Sequence, residues 1–358
     1  MTTQLEAPEI DLEKVEAFAT KVAIDQATAS HAVLTYLGDR LGLWKALASV
    51  GAATSAQLAQ RSGLAERYVR EWLSAHTAAG YVDYDGESET FSLSAEHAMV
   101  LADDDGPATQ VAGFEVTAAI WAASDRLAHA YATGDGVGWH EHDPRLFTGV
   151  DRFFRTLYRT SLLTEWLPAV DGLVQRLESG IRVVDVGCGL GSAVILLAEA
   201  FPASTFVGVD YHEESIRQAT AAAAEAGLAD RVRFEVGDAS SYAGSFDLVC
   251  FFDAVHDMGD PVGALRHARG VLAEGGEVFA VEPFAHDRLE DAVGSPVALS
   301  YFAASSSLCV PNSVSQGGAA LGAQAGPTRL TAAFVDAGFS TARIAAATPY
   351  NLLIEARG

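Results

Sequence analysis

The chain has 358 residues, of which 49% are hydrophobic and 20% are charged. This length allows two or three domains of ordinary size, and the composition excludes a disordered or fibrous protein. Lys and Arg number 23 against 47 Asp and Glu, which gives a net charge of −24. Such a surface repels phosphate groups, so we expect neither nucleic acid nor a membrane as a partner.

Targeting signals and cysteine pairs are both missing from the sequence. Met1–Ile10 is acidic and lacks the basic and apolar regions of a signal peptide, and no apolar run is long enough to span a membrane. Cys188, Cys250 and Cys309 lie far apart, which argues against a disulfide framework and a cysteine-rich zinc site. We therefore predict a cytoplasmic protein.

Residues 32–93 have the pattern of a winged helix, which is three helices followed by a hairpin. A helical stripe runs from Val33 through Leu47, a short second helix covers Ser55–Arg61, and a third begins at Leu64. The alternating residues that follow, with a turn at Asp85-Gly86, predict the hairpin.

A winged helix commonly binds DNA through its third helix and its hairpin. In this chain the hairpin carries four acidic residues and no basic one, and the third helix pairs Arg67 and Arg70 with Glu66 and Glu71. We therefore interpret residues 1–105 as a winged-helix-like dimerisation domain and expect a homodimer.

The segment 106–178 is predicted to be helical and to connect the two outer parts of the chain. It contains one long apolar run, Ala108–Tyr131, and an aromatic-rich helical region, Arg152–Leu177, whose stripe is typical of a core. His140 and His142 lie close together on a loop, but no third ligand is evident. We predict no metal site.

From Ile181 onward, short β-rich runs alternate with helical segments. The predicted strands are Arg182–Val186, Thr205–Val209, Val232–Val236, Phe246–Phe252 and Glu277–Val281, and the predicted helices are Ser192–Ala200, Glu213–Ala226 and Pro261–Leu272. This alternation predicts an α/β fold with a doubly wound parallel sheet in residues 179–358. The tail from Ala342 predicts an edge hairpin, and the insertion 285–326 has the size and small-residue content of a lid.

A glycine-rich loop follows the first of these strands and opens a helix, where such sheets bind an adenosine cofactor. Its glycines are Gly187, Gly189 and Gly191. A dinucleotide loop places its third glycine three residues after the second, and this chain has Ser192 there. Asp185 would oppose a pyrophosphate but suits the ammonium group of a methionine moiety. The loop therefore favours S-adenosylmethionine (SAM) over NAD.

Two more acids end the next two strands and support this prediction. Asp210 is placed to accept the ribose hydroxyls, and Asp238 to accept the adenine amino group. One such acid alone is more often a solvated carboxylate, but three in order favour a ligand. The predicted cofactor-binding residues are Asp185, Gly187, Cys188, Gly189, Gly191, Asp210, Tyr211, Gly237, Asp238, Ala239 and Asp253.

These motifs, with the strand at Phe246–Val249 and Gly275-Gly276 before the next, resemble the class I SAM-dependent methyltransferases. The resemblance implies a Rossmann-like, mostly parallel sheet of seven strands with an antiparallel last strand, and S-adenosylhomocysteine (SAH) as product. The winged helix extends the resemblance to small-molecule O-methyltransferases that dimerise through an N-terminal domain, and to an actinobacterial group. Its segments are Arg67–Leu73, Asp253–Pro261 and Gln316–Gly326.

The residues after the fourth strand carry the clues to the acceptor. His256-Asp257 resembles the pair in plant-type O-methyltransferases whose histidine is the general base, although Met258 stands where those enzymes usually have Trp. An imidazole suits removal of the hydroxyl proton during methyl transfer. We expect His256 to be catalytic, with Glu282 or Asp257 orienting it. A loop histidine without a catalytic role is the alternative.

Other methyltransferase classes lack support, because the chain has no Asp/Asn-Pro-Pro-Tyr motif, no lysine in this domain, and Glu282-Pro283 where metal-dependent enzymes have an Asp-Asn pair. We predict metal-free O-methylation of an aromatic or polyketide-like secondary metabolite. Carbon or nitrogen methylation on the same fold, and a SAM-sensing DNA-binding regulator, remain alternatives. The predicted acceptor-binding residues are Trp139, Phe153, Tyr158, Met258, Tyr301, Phe302 and Cys309.

Overall fold

A computed structural model describes residues 10–358, and the chain divides into two compact units, Met1–Phe114 and Glu115–Gly358. Residues 1–9 of the predicted N-terminal domain lie outside the described residues. Most of the predicted connecting segment 106–178 belongs to the second unit. In the described part of the chain, no helix combines the length and the apolar character that crossing a bilayer requires.

The first unit has the predicted three helices and hairpin, preceded by a long helix. Its elements are α1 (Leu12–Arg40), α2 (Leu43–Val50), α3 (Ser55–Ser62), α4 (Glu66–Ala78), β1 (Asp83–Asp85), β2 (Thr90–Ser92) and α5 (Ala95–Leu101). β1 and β2 pair antiparallel, as predicted. The prediction of one helix from Val33 to Leu47 was wrong, because Gly42 adopts a φ of 69° and separates α1 from α2.

The helices that precede the large sheet are more broken than predicted. They are α6 (Ala112–Ala122), α7 (Ser124–Thr133), α8 (Arg145–Leu157), a π-helical segment (Tyr158–Trp166) and α9 (Leu173–Ser179). The apolar run is two helices, since Ala123 leaves helical geometry at ψ 1°. The aromatic-rich region is interrupted by the π-helical segment and by a short 3-10 turn that contains Pro168.

A seven-stranded sheet forms the centre of the second unit. Its elements are β3 (Arg182–Val186), α10 (Ser192–Ala200), β4 (Thr205–Asp210), α11 (Glu213–Glu225), β5 (Val232–Val236), β6 (Phe246–Phe252), α12 (Pro261–Val271), β7 (Leu272–Pro283), α13 (Leu289–Ala292), α14 (Pro296–Ala304), α15 (Val310–Ser315), α16 (Gly326–Asp336), β8 (Thr341–Ala347) and β9 (Asn351–Arg357). The strand order is β5-β4-β3-β6-β7-β9-β8, with β9 antiparallel to both neighbours. The predicted Rossmann-like sheet with an antiparallel last strand is confirmed. In the predicted edge hairpin, β8 is the edge strand, and β9 lies between β7 and β8.

Successive side chains of the strands pack into two hydrophobic cores, one on each face of the sheet. Val183 joins the core that contains α9 and α10, whereas Val184 joins the core that contains α12 and α16. This alternation follows from the two-residue period of a strand. Because β3 to β7 are parallel, the residues that follow them meet at one carboxyl edge, where ligands bind in this class of sheet.

The insertion 285–326 contains α13, α14, a π-helical segment (Ser305–Cys309) and α15. It packs on the segment 253–259, which we call the β6 loop. Gly322 N donates to the carbonyl oxygen of His256 at 2.9 Å, and Ala319 N donates to that of Gly259 at 3.1 Å. The insertion is therefore fixed directly on the loop that carries the predicted base.

Candidate active site

The glycine loop between β3 and α10 depends on left-handed backbone geometry. Gly187, Gly189 and Gly191 adopt φ values of 80°, 53° and 80°. A Cβ atom at Gly187 would lie 2.9 Å from the Cβ of Ala254, and one at Gly191 would lie 2.5 Å from the Phe234 ring. The loop therefore tolerates no side chain at these two places, and it runs against the β6 loop.

Asp185 is a buried carboxylate without a neutralising partner. It is 2% exposed, and among residues 10–358 its Oδ1 atom has no hydrogen-bond partner. Burial, together with the charge of Asp210, raises the pKa of Asp185 to about 8. An isolated carboxylate is costly to bury, so this position fits a cationic ligand group that would pair with it.

Asp210, at the end of β4, is held by the glycine loop. Its Oδ2 atom accepts from Gly189 N at 2.9 Å and its Oδ1 atom from His212 N at 2.8 Å. Burial raises its pKa despite these bonds. Each carboxylate oxygen retains a second lone pair that a ligand hydroxyl can use. Burial, followed by the charges of Asp257 and Asp210, raises the pKa of the neighbouring Tyr211.

The predicted adenine site follows β5 at the same sheet edge. Gly237 N donates to the carbonyl oxygen of Asp210 at 3.0 Å, which ties this turn to the end of β4. Asp238 is exposed, and its Oδ1 atom accepts from the hydroxyl and the backbone N of Ser240, which lowers its pKa. Ala239 packs against the core on that face. The exposed carboxylate at this turn is accessible to a ligand.

His256 and Glu282 form a buried pair at the ends of β6 and β7. His256 is 3% exposed and Glu282 is fully buried, and Nδ1 of the imidazole lies 2.7 Å from Oε2 of the carboxylate. Glu282 also accepts from the backbone N of Ala254, Val255 and His256 at 3.2, 2.9 and 3.2 Å. Burial opposes a charge on the imidazole, but Cys309 and Glu282 outweigh it and raise the pKa of His256 well above its usual value.

Asp257 accepts a hydrogen bond from Trp139, and among the described residues it makes none with the imidazole of His256. Its Oδ2 atom accepts from Trp139 Nε1 at 2.7 Å, and burial raises its pKa to about 6. Asn312 of α15 joins both residues, since its Nδ2 donates to the Asp257 carbonyl at 3.0 Å and its Oδ1 accepts from Trp139 N at 3.2 Å. Hydrogen bonds thus join three residues from distant segments of the chain, Trp139, Asp257 and Asn312. Nothing in the sequence pattern pointed to Asn312.

Two of the predicted acceptor-binding residues of the insertion lie beside the β6 loop. Cys309 is buried and interacts with His256, and Tyr301 lies within electrostatic range of Asp253. The Tyr301 hydroxyl donates to the Tyr350 carbonyl at 3.0 Å. Phe302 is 38% exposed.

The remaining predicted acceptor-binding residues are placed differently. The Met258 side chain packs against a core of the sheet, and Phe153 packs edge-on against Phe154 with ring centroids 5.2 Å apart. Tyr158 lies 5.8 Å from the Phe252 ring and within electrostatic range of Asp185 and Asp253. Tyr158 is therefore close to the glycine-loop strand as well as to the β6 loop.

One buried acid at the cofactor edge was missed by sequence reasoning. Asp151 of α8 accepts a hydrogen bond from Ser192 Oγ in the first turn of α10, and burial raises its pKa. Asp151 lies in an amphipathic helix with no recognisable motif. In the described range 10–358, no group of three or more His, Cys, Asp or Glu residues is arranged to hold a metal. His142 is buried, whereas His140 is exposed.

Comparisons with known protein families identify both units. Residues 177–306 match the family described as "Methyltransferase domain", and residues 29–103 match the "Rv2258c-like winged HTH domain". The chain carries a methyltransferase domain behind a winged helix. Both domains are those that the sequence predicted.

Curated relatives match mainly over part of their length. The 27-O-demethylrifamycin SV methyltransferase of Amycolatopsis mediterranei (strain S699) is 34% identical over 105 residues, which are 28% of this chain and 38% of the relative. Nocamycin O-methyltransferase of Saccharothrix syringae is 37% identical over 134 residues, which are 36% of this chain and 43% of the relative. The chain thus spans less than half of these two relatives.

Solved structures match over nearly the whole chain. Mitomycin 7-O-methyltransferase MmcR has a TM-score of 0.72 at 20% identity, with 97% of this chain and 100% of that chain covered. Human N-acetylserotonin methyltransferase in complex with SAM has a TM-score of 0.68 at 16% identity, with 99% of each chain covered. At these identities the likeness shows a shared fold. The chain therefore shares the fold of these methyltransferase structures.

Proposed function

We propose that this protein is a SAM-dependent methyltransferase that methylates a hydroxyl group of a small molecule. The observation that carries the proposal is the buried His256–Glu282 pair, which stands on the same sheet edge as the glycine loop. A Cβ atom added at Gly187 would lie 2.9 Å from the Cβ of Ala254, so the glycine loop and the β6 loop lie close together. A base beside a cofactor loop is what transfer to a hydroxyl requires.

The residues present fit SAM at the glycine loop. Asp185, which has no other partner among the described residues, would hold the ammonium group, Asp210 the ribose hydroxyls and Asp238 the adenine amino group. Cys188, Gly189 and their neighbours in the loop would approach the ligand through backbone atoms. When bound, SAM supplies a methyl group activated by a sulfonium. Human N-acetylserotonin methyltransferase, which shares this fold, was solved in complex with SAM.

In this proposal His256 acts as the general base. The Glu282 carboxylate can only accept at Nδ1, so Nδ1 carries a proton and Nε2 is the nitrogen that receives the proton from the acceptor. With SAM and a hydroxyl acceptor bound, the methyl group would leave the sulfonium for the acceptor oxygen, Nε2 would take up the hydroxyl proton, and Glu282 would stabilise the resulting imidazolium. Glu282 is thus a positioning residue, and Asp257 positions Trp139.

The acceptor that we propose is an aromatic or polyketide-like metabolite, methylated without a metal. Trp139, Tyr301 and Cys309 belong to one hydrophobic cluster, and Cys309 of this cluster interacts with His256. Two relatives are named as methyltransferases of 27-O-demethylrifamycin SV and of nocamycin, and a secondary metabolite is inferred here by analogy with them. Cytoplasmic location remains a prediction from the cysteine pattern.

For the winged helix we propose dimerisation. Leu12, Val15, Phe18 and Val22 of α1 lie three or four residues apart and are all exposed, which gives the helix an unpartnered apolar stripe that a second copy would cover. DNA binding is disfavoured because Arg67 and Arg70 of α4 are paired with Glu71 and Glu66. Sedimentation at micromolar concentration should give a dimer, and a gel shift with duplex DNA at low salt should show no complex.

The activity is tested with isotope-labelled SAM and matched panels of phenols and amines. We expect a labelled methyl ether, identified by mass and by the carbon shift of the new methyl group. Binding of SAH should be lost in Asp210→Ala and in Gly189→Val, because the second change places a branched side chain at a φ of 53°. Label on nitrogen or carbon would contradict O-methylation, and unchanged SAH affinity in both variants would contradict the cofactor assignment.

A further inference from the structure

Asp253, the first residue of the β6 loop, has unusual backbone geometry for its position. Its φ is 58°, which a residue other than glycine adopts rarely and mostly at functional sites. The conformation is fixed by its backbone N, which donates to the Val281 carbonyl at 2.7 Å. The next residue, Ala254, faces Gly187 of the glycine loop, and His256 follows two residues later. Asp253 therefore directly precedes the residue that faces the glycine loop and lies three residues before the predicted base.

The Asp253 carboxylate differs from its two acidic neighbours in its hydrogen bonds. Glu282 accepts four hydrogen bonds, and Asp257 accepts one from Trp139. Within residues 10–358, no hydrogen bond is made to the Asp253 carboxylate. Tyr301 from the insertion is in electrostatic range, but its hydroxyl is engaged by the Tyr350 carbonyl.

The charged groups around Asp253 are one imidazole and two carboxylates. Burial raises the pKa of Asp253 to about 7, and the charged groups that act on it are His256, Glu282 and Asp257. Three acids thus share one imidazole, which is already paired with Glu282. A second anion brought here would meet uncompensated negative charge, whereas a donor or a cation would find a free acceptor.

We propose that Asp253 is a specificity-determining residue that selects acceptors with a hydrogen-bond donor or a cationic group beside the methylated hydroxyl and rejects acceptors with a carboxylate there. This inference rests on the proposed O-methylation of a small molecule. Rejection by an unpaired like charge is a common means of discriminating between ligands of similar shape.

The test uses three phenols that differ in the group next to the hydroxyl: 2-hydroxybenzylamine, 2-hydroxybenzyl alcohol and 2-hydroxybenzoate. Their affinities are measured by calorimetry on the SAH-saturated protein, for the parent and for Asp253→Asn. Asparagine has nearly the same shape and tolerates the left-handed conformation, so the fold should be kept. Asp291→Asn, which makes the same change at an exposed acid of the insertion, is the matched control.

We expect the parent to bind the amine and the alcohol at least about tenfold more tightly than the benzoate. In Asp253→Asn, saturated with SAH like the parent, the preference for the amine over the benzoate should shrink by about tenfold or more, and Asp291→Asn should behave as the parent. An unchanged preference, tightest binding of the benzoate, or no binding of any of the three at millimolar concentration would overturn the inference. If Asp253→Asn fails to fold, the order of the three phenol affinities in the parent protein tests the inference. If the three phenols bind in the expected order but no labelled methyl ether forms, the result contradicts the proposed O-methylation and not the role of Asp253 in selecting acceptors.

Discussion

Two buried histidines, one in each unit, show how surroundings set the charge of an imidazole. His76 of α4 is fully buried among aromatic rings, with Trp44 and Trp72 at 4.5 Å and His31 Nε2 2.8 Å from its Nδ1. Burial, with the charge of His31, lowers the pKa of His76 to about 3. His256 is buried almost as fully, yet its pKa is raised.

The difference lies in the partners. Burial by itself favours the neutral ring in both places, because the charged form loses its hydration. At His76 the nearest titratable group is another histidine, which adds to that effect, whereas at His256 Cys309 and the buried Glu282 carboxylate reverse it. The first imidazole serves as a packing group, and the second can take up a proton. A buried histidine therefore becomes a base only where the fold also supplies an acid.

The largest expected effect is on kcat, and it distinguishes His256 from His76. His256→Ala should lower kcat by about 10²–10⁴, the usual range for loss of a general base, with little change in SAH affinity. His76→Phe, which keeps a ring in the aromatic cluster, should leave kcat nearly unchanged. Turnover with labelled SAM and calorimetry with SAH measure both variants. Equal activity of His256→Ala and the parent would show that His256 is not the base.

Asp185 sharpens the comparison, since it is a buried acid without a partner in the described structure. Asp185→Asn should weaken SAH binding by about tenfold or more, because a charge-assisted hydrogen bond is lost. The free variant should nevertheless melt at a higher temperature above pH 8, since the raised pKa of about 8 means that ionisation destabilises the folded parent as pH rises. Asp291→Asn is the exposed control. A lower Tm in Asp185→Asn would contradict this account of the carboxylate.

Glu282 can be tested through the pH dependence of turnover. The general base must be neutral, so the rate should rise with pH through the raised pKa of His256, above the usual value of 6.5. Glu282→Gln removes the negative charge that favours the imidazolium, and it should move this limb to lower pH by about one unit or more. Maximal kcat should also fall, because the imidazolium formed during transfer is less stable. An unmoved limb in Glu282→Gln would mean that another group titrates.

The smallest effect concerns the stability of the first unit. An unfolded histidine binds a proton below pH 6.5, whereas folded His76 does so only near pH 3. Stability should therefore be full above pH 6.5 and be lost as the pH falls toward 3. We expect the parent Tm to drop by about 5 °C between pH 7 and pH 5. The drop should be smaller in His76→Phe, and an identical drop in both proteins would assign it to other groups, His31 among them.

The elements of the sheet were predictable because their signals are local. The strands Arg182–Val186, Val232–Val236 and Phe246–Phe252 have in the structure the bounds that the sequence predicted, since each is a short apolar or alternating run between turn residues. The helices were predicted less well. Their breaks at Gly42 and in the π-helical segment Tyr158–Trp166 depend on packing that a periodic pattern does not contain.

What the sequence determined by itself is the order of motifs along the chain: a glycine loop after one strand, an acid after each of the next two, and a histidine after the fourth. Each is written in adjacent residues, so it needs no tertiary information. Only the tertiary structure decided which acid forms the hydrogen bond to the imidazole of His256. Asp257 is its neighbour in sequence but bonds Trp139, 118 residues earlier, while Glu282, 26 residues later, holds the imidazole. The reason is that β6 and β7 are parallel neighbours whose ends meet at one edge, and hydrogen bonds follow proximity in space.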